Sequence, residues 1–236
     1  MGIFGNLTTE GLEESQDRLG GFSLFESDIY IATIKMAYVT KARNSAAQAV
    51  HFIFDIDGKE YRETMFVTNK EGKNYFVNKN NKKSPLPGFT TVNEICLCAA
   101  DMSLDVVDTP EKTVKIYNYE TKTEEPTRVP VIIDLIDKKV ALGILKRTVN
   151  KREKQGDTYV STNETRDENA IDKVFHAELK VTVPEARYGK EPTFWNQWLE
   201  KNKGVTQNRT KAAEGKPSVA GSTGTQNQPS KSLFNR

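Results

Sequence analysis

Aromatic and basic side chains are interleaved in one short polar stretch, NKEGKNYFVNKNNKK, residues 69–83. Five lysines and five asparagines surround one pair of large rings there, Tyr75 and Phe76. The neighbouring residues offer these rings little apolar cover. The rings therefore either fold back against the protein or are contacted by a bound partner. Lysines neutralise a phosphate backbone, and exposed rings stack on unpaired bases. The stretch therefore predicts a contact with single-stranded nucleic acid.

The same interleaving recurs in three other segments of the chain. Rings next to basic residues give three second-choice stacking residues, Tyr61, Tyr117 and Tyr119. The predicted phosphate contacts are Lys70, Lys73, Lys79, Lys82, Lys83, Lys146, Arg147, Lys151 and Arg152. A purely structural explanation competes with this one, because rings are enriched in all strands and lysine-rich hairpins favour solubility.

Other site chemistries have weaker support in the sequence. Neither a glycine-rich phosphate loop nor a Gly-x-Ser-x-Gly elbow is present. Cys96 and Cys98 lack the further ligands that zinc requires nearby, since both histidines are far away in sequence. Asp134 and Asp137, followed by Lys139, leave a metal-dependent nuclease as the third alternative. We expect no catalytic residue, no metal and no cofactor.

Charge is distributed unevenly along the chain. Residues 203–236 carry six basic residues and one acidic residue, whereas residues 1–202 carry 28 basic and 31 acidic ones. A folded body with this balance has to bind nucleic acid through a local basic patch rather than by overall attraction. No apolar run has the length of about 20 residues that a membrane helix needs, and the start lacks the features of a secretory signal. We therefore expect a cytoplasmic protein with no membrane partner.

The first half of the chain predicts a β-meander. Alternating apolar residues predict strands over 28–40 and 49–56, and Asp57-Gly58 favours a tight hairpin into a return strand over 59–68. A small hairpin turning at Asn80-Asn81 should follow. A helix is expected to start at Thr91, since Thr91 and Glu94 have capping-box spacing.

The second half predicts further strands and long hairpins. Strand patterns cover 111–120 and 140–153, a return strand begins at TYVSTNET, and residues 166–178 are expected to be a connection. Residues 129–137 are ambiguous but fit one helix face, and residues 191–202 predict a short amphipathic helix.

The predicted fold class is mainly β with short helices, an OB-fold-like β-barrel with extended hairpins. Its order of meander, helix and closing hairpin is what a five-stranded oligonucleotide-binding barrel requires. We expect three regions: an N-terminal arm over 1–24 with an acidic middle that could lie against a basic groove, the domain over 25–203, and a disordered basic tail over 204–236.

Several longer strings resemble the single-stranded DNA-binding proteins of tailed bacteriophages. They include DRLGGFSLFESDIYIATIKMAYV, ETMFVTNKEGKNYFV, PLPGFTTVNEICLCA and TVKIYNYETKTEEPTRVPV, and the likeness spans roughly residues 17 to 204. The resemblance implies an oligonucleotide-binding barrel that coats single strands during phage DNA replication, recombination and repair in the cytoplasm of the bacterial host. It also implies that Tyr75 lies on a DNA-binding hairpin.

The C-terminal tail departs from a common pattern among bacterial single-strand binders. Many of those proteins end in an acidic tail, whereas this tail is basic and ends in Leu233-Phe234-Asn235-Arg236. The tail is therefore expected to add DNA contacts or to meet an acidic partner, such as phage replication proteins or host RNA polymerase. The main alternative function follows from it: a protein–protein interaction module that binds a host transcription or repair enzyme.

Overall fold

A computed structural model describes residues 23–118, 121–156 and 158–211. Within these ranges the protein is mainly β, with three short α-helices. The strands are β1 (Asp28–Lys41), β2 (Gln48–Ile56), β3 (Lys59–Phe66), β4 (Tyr75–Val77), β5 (Lys83–Pro85), β6 (Glu111–Asn118), β7 (Thr123–Pro130), β8 (Lys139–Gln155), β9 (Thr158–Phe175) and β10 (Thr206–Asn208). The helices are α1 (Pro87–Ala100), α2 (Val183–Arg187) and α3 (Phe194–Asn202), and Ile133–Leu135 form a 3-10 turn.

The main sheet is built around β1. Strands β1, β2 and β3 form the predicted antiparallel meander, and both residues of its turn, Asp57 and Gly58, have positive φ, 51° and 79°. Strand β8 pairs with the other edge of β1, and β9 pairs with β8. Strand β10 runs parallel to β8 and pairs with it. The mainly β fold class is confirmed.

The sheet curls but stays open between β3 and β9. No backbone ladder joins these two strands in the part of the chain that the structure describes. Instead, the Glu63 carboxylate on β3 accepts a hydrogen bond from the backbone N–H of Ile171 on β9. The Tyr61 hydroxyl donates to the same carboxylate at 2.5 Å. Burial raises the pKa of Glu63, and these hydrogen bonds counteract the increase.

Helix α1 covers the inner face of the meander, where Val92, Ile95 and Cys96 join the core of β1 and β2. The predicted start at Thr91 is wrong, since the helix begins at Pro87. Proline suits the first helical position because its φ is preset and the missing N–H would have no helical partner there. The Thr91 hydroxyl lies inside the helix and donates to the Pro87 carbonyl at 3.1 Å.

Three other predictions about local structure need correction. Residues 129–137 form the end of β7 and the 3-10 turn rather than a helix, and residues 166–175 belong to β9 rather than to a connection. The predicted disordered tail begins too early, because Gly204 donates to the Ser27 carbonyl at 2.8 Å and β10 pairs with β8. Backbone hydrogen bonds to β8 order β10, although all three residues of β10 are polar. Residues 1–22 and 212–236 lie outside the described ranges.

Helix α3 covers the outer face of β8. Trp198 packs against Gly143, where a β-carbon would lie 3.0 Å from the indole ring, and its indole N–H donates to Asp172 at 2.7 Å. Among the described residues, no helix is long and apolar enough to cross a membrane.

Candidate nucleic-acid interface

Two loops meet at the end of the meander where β1 and β3 finish. The first is residues 41–47, between β1 and β2, and the second is residues 67–86, which contain the β4–β5 hairpin. Ala46 donates its backbone N–H to the Lys70 carbonyl at 3.0 Å, and the Thr68 hydroxyl donates to the Ala46 carbonyl at 3.3 Å. We call residues 41–47 and 67–86 together the basic end.

Positive charge is concentrated at the basic end. Its basic residues are Lys41, Arg43, Lys70, Lys73, Lys79, Lys82 and Lys83. Glu71 is its only acidic residue, so these two segments carry a net charge of +6. The rest of residues 23–202 then has 20 basic and 26 acidic residues, a net charge of −6. The charge of the folded body is therefore strongly segregated.

Exposed rings lie among these charges. The Phe66 side chain, at the end of β3, is 59% exposed, and that of Phe76, on β4, is 46% exposed. Tyr75 is half-buried, and the Lys83 ammonium lies 4.6 Å from the centre of its ring. An open groove of about 730 Å³ runs beside Phe66 and is lined by Ala42, Ala47, Met65, Leu86 and Pro87. The basic end and the adjoining Phe66 thus combine exposed rings with exposed cations.

The asparagines of this stretch build its turns. The Asn69 side-chain oxygen accepts from the backbone N–H groups of Glu71 and Lys73, at 3.0 and 2.9 Å. The Asn78 side chain does the same for Asn80 and Lys82, at 2.9 and 3.0 Å. Asparagine favours such local turns because its short amide mimics a backbone group. The hairpin therefore holds its lysines outward on a fixed backbone.

Most lysines of the basic end form no ion pair with an acidic group among the residues that the structure describes. Lys73 lies 2.7 Å from Glu71, and this contact raises the pKa of the fully exposed ammonium. Within the described ranges, Lys70, Lys79 and Lys82 take part in no ion pair. All three of these lysines are exposed.

Tyr61, one of the second-choice rings, is not available to a base. Its side chain is only 8% exposed, and its ring centre lies 5.8 Å from that of Phe25 and 6.1 Å from that of Phe54. Burial, together with the nearby Glu63 carboxylate, raises the pKa of its hydroxyl. Tyr61 belongs to the core because odd-numbered residues of β3 face inward, so the prediction that it stacks on a base is corrected.

The basic residues predicted on β8 lie far from the basic end. Ile144 pairs with Asp28 at the start of β1, whereas the basic end begins at Lys41, the last residue of that strand. Three of the four have acidic partners: Lys146 with Glu26 at 2.7 Å, Arg147 with Glu168 at 2.8 Å and Lys151 with Glu164 at 3.0 Å. In the described part of the chain, Arg152 takes part in no ion pair. These residues do not form one site with Tyr75 and Phe76.

The two tyrosines predicted on the β6–β7 hairpin have different outcomes. The Tyr117 side chain is 41% exposed and lies opposite Glu124 of β7. Tyr119 lies outside the described residues.

The outer face of the meander carries residues that the sequence prediction missed. Tyr38 on β1 and His51 on β2 stack with ring centres 4.7 Å apart and planes 9° from parallel. The hydroxyls of Thr40 and Thr64 lie 2.7 and 3.0 Å from the two ring nitrogens of His51. Burial lowers the pKa of His51, which favours the neutral form of the ring. Phe66 lies on the same face, and the alternation of β3 could have indicated its outward direction.

The groups behind the other predicted chemistries lie apart. The Asp134 carboxylate accepts from the backbone N–H of Asp108 at 2.8 Å, while that of Asp137 binds Lys35 at 3.1 Å. No group of three or more His, Cys, Asp or Glu that could hold a metal ion occurs among the described residues. Burial raises the pKa of Cys96 and of Cys98 to about 12, which keeps both as thiols.

No protein-family model and no curated protein matches this chain.

Proposed function

We propose that this protein binds single-stranded DNA without regard to sequence, and that the basic end is its principal contact. The observation that carries the proposal is the coincidence of segregated charge and exposed rings at one end of a folded body that is otherwise acidic. Unpaired DNA presents phosphates and open base faces together, whereas a duplex hides its base faces. Such a surface therefore favours single strands.

The two kinds of side chain have separate roles. Lys70, Lys79 and Lys82 neutralise phosphates and release counterions, and each contact adds about 0.7 to the slope of log affinity against log salt. Phe66 and Phe76 stack on bases, and each base stacked contributes about 1–3 kcal/mol with little dependence on sequence. Tyr75 supports the hairpin, with Lys83 over its ring.

The bound strand continues from the basic end across the outer face of the meander. Phe66 and Thr64 share one face of β3, and the Thr64 hydroxyl bonds to His51, which stacks on Tyr38. Arg62 follows on the same face; it is exposed and pairs with Glu60 at 2.6 Å. A strand on this path passes the half-buried rings of His51 and Tyr38, the second of which packs against Val129 and Val131, and then reaches Arg62.

The arrangement of strands gives independent support. The meander, helix α1 and the β8–β9 hairpin follow one another in the order of the oligonucleotide-binding barrel, with the β4–β5 and β6–β7 hairpins inserted and the sheet open between β3 and β9. Together with the resemblance to single-stranded DNA-binding proteins of tailed phages, this order favours a protein that coats single strands in phage DNA replication, recombination and repair. That role belongs to the cytoplasm of the bacterial host. In this proposal, the basic tail contacts phage replication proteins or host RNA polymerase.

A titration of fluorescent oligonucleotides tests the function. The full-length protein is added to oligo-dT, to a mixed-sequence single strand and to a duplex of equal length, at two salt concentrations. We expect both single strands to bind more tightly than the duplex, and part of that preference to persist at high salt because stacking is not screened. Equal or tighter binding of the duplex would overturn the proposal.

A further inference from the structure

We propose that the acidic N-terminal arm of this chain, residues 1–22, docks in the groove of the basic end and competes there with DNA. The inference concerns how DNA binding at the proposed site is regulated, so its second part, the competition with DNA, rests on the proposed function. Three properties of the chain point to this occupant: charge, chemistry and reach.

Net charge favours the N-terminal arm, rather than the C-terminal tail, as the segment that docks in the groove. Residues 1–22 contain four acidic residues, Glu10, Glu13, Glu14 and Asp17, and one basic residue, Arg18. The basic end carries +6, and the tail after residue 203 is basic as well. The tail is therefore repelled by the basic end, whereas the arm is attracted to it. At physiological salt this attraction acts over a Debye length of about 8 Å, so it requires close approach.

The groove has the chemistry to receive an acidic segment that also carries apolar side chains. Ala42, Ala47 and Met65 line it with apolar side chains, and Lys70 lines it as well. In the arm, Leu12 lies between Glu10 and the pair Glu13-Glu14. A leucine against the apolar side chains would bring carboxylates next to the lysine.

The arm begins close enough to reach the groove. Its root is held at the start of β3, where the Lys59 ammonium lies 2.9 Å from the Ser23 hydroxyl and 4.1 Å from the centre of the Phe25 ring. The groove lies by Phe66, seven residues along β3, a distance of about 23 Å. Glu14 is nine residues from Ser23, which an extended chain spans in about 30 Å. Glu10, Glu13 and Glu14 can therefore reach the groove, whereas Asp17 falls short.

Zero-length cross-linking of the full-length protein tests the docking directly. A carbodiimide couples a carboxylate to an ammonium only when the two are in contact, and mass spectrometry then identifies the joined peptides. We expect Glu10, Glu13 and Glu14 to couple to Lys70, Lys79, Lys82 or Lys83. The coupling should disappear with excess oligo-dT, and also in about 1 M salt, where the Debye length is about 3 Å. Coupling no greater than that to the distant Lys190 and Lys201 would overturn the inference.

A binding measurement tests the competition. The triple variant Glu10→Gln, Glu13→Gln, Glu14→Gln should bind oligo-dT at low salt about fivefold or more tightly than the unaltered protein. The matched control is Glu178→Gln, Glu191→Gln, Glu200→Gln, which removes three exposed carboxylates elsewhere and should change affinity much less. If both variants gained affinity for oligo-dT equally, the gain would come from the change in net charge rather than from the arm. That result would reject the competition. If the unaltered protein fails to bind oligo-dT, the proposed function fails, while the cross-links still report whether the arm docks.

Discussion

Gly88, in the first turn of α1, lies directly against the backbone of Phe66, the last residue of β3. A β-carbon at Gly88 would come within 2.3 Å of the Phe66 carbonyl oxygen. This contact brings the start of the helix against the end of the strand that carries the exposed ring. The helix and the DNA-stacking ring that we propose are therefore coupled through their backbones.

The first prediction concerns this contact. Gly88→Ala should lower the free energy of unfolding by about 1–3 kcal/mol, because the added methyl group has to displace backbone atoms. It should also weaken oligo-dT binding, since the displaced backbone is that of Phe66. Chemical denaturation and fluorescence anisotropy measure the two effects.

Gly58→Ala is the control for that variant. Gly58 has φ 79° and no atom within 4 Å of a β-carbon, so alanine there costs about 1 kcal/mol of conformational strain. It should leave oligo-dT affinity unchanged. A Gly88→Ala protein as stable as the unaltered one would contradict the packing described here.

The second prediction concerns the rings. Phe66→Ala and Phe76→Ala should each weaken oligo-dT binding by about 1–3 kcal/mol, because each removes a stacking surface. The loss should be similar at low and high salt. Val77→Ala, at a side chain that is 56% exposed on the same hairpin, should bind as the unaltered protein does. Binding that is insensitive to both phenylalanines would exclude them from the site.

The third prediction concerns Lys79 and Lys82, which form no ion pair among the described residues. Lys79→Gln combined with Lys82→Gln should reduce the salt slope of oligo-dT binding by about 1.4, because two phosphate contacts are lost. Lys151→Gln, at a lysine paired with Glu164 on the β8–β9 hairpin, is the control and should keep the slope. Titrations with oligo-dT over a series of salt concentrations measure this slope. If Lys151→Gln reduced the salt slope equally, the phosphate contacts would have to be assigned to the β8–β9 hairpin instead.

The fourth prediction concerns His51 and pH. Burial lowers its pKa in the folded state, so between the folded pKa and the unfolded value of about 6.5 the unfolded chain binds more protons. Stability from this residue is therefore present above pH 6.5 and is lost as the pH falls through that window. A glutamine at position 51 does not titrate, so the unaltered protein should lose more stability than His51→Gln between pH 7.5 and 5.5. Denaturation curves with the same pH dependence in both proteins would rule this out.

The sequence predicted those parts of the fold that depend on neighbouring residues. The Asp57-Gly58 hairpin is one example, because two adjacent residues with positive φ determine the turn. The helix start was misplaced because the contact between Gly88 and Phe66 joins residues on two separate elements. Local capping spacing at Thr91 carries no information about that packing.

The candidate site was predicted only in part, because some of its features depend on contacts between residues far apart in the sequence. Alternation along β3 places Tyr61 and Phe66 on opposite faces, but only packing against Phe25 and Phe54 makes the face of Tyr61 the inner one. The partner of Lys146 is Glu26, 120 residues away, so its neutralisation could not be read from nearby residues. Lys70, Lys79 and Lys82 could be predicted as exposed because the asparagine turns that carry them are local.

Hydrogen exchange of the full-length protein, measured with and without oligo-dT, shows which surface the DNA covers. We expect DNA to slow the exchange of backbone amides in residues 41–47 and 67–86 and in β3. Residues 151–156 and 158–166 of the β8–β9 hairpin should change little. Protection confined to that hairpin, with the basic end unchanged, would show that the basic end is not the principal DNA contact.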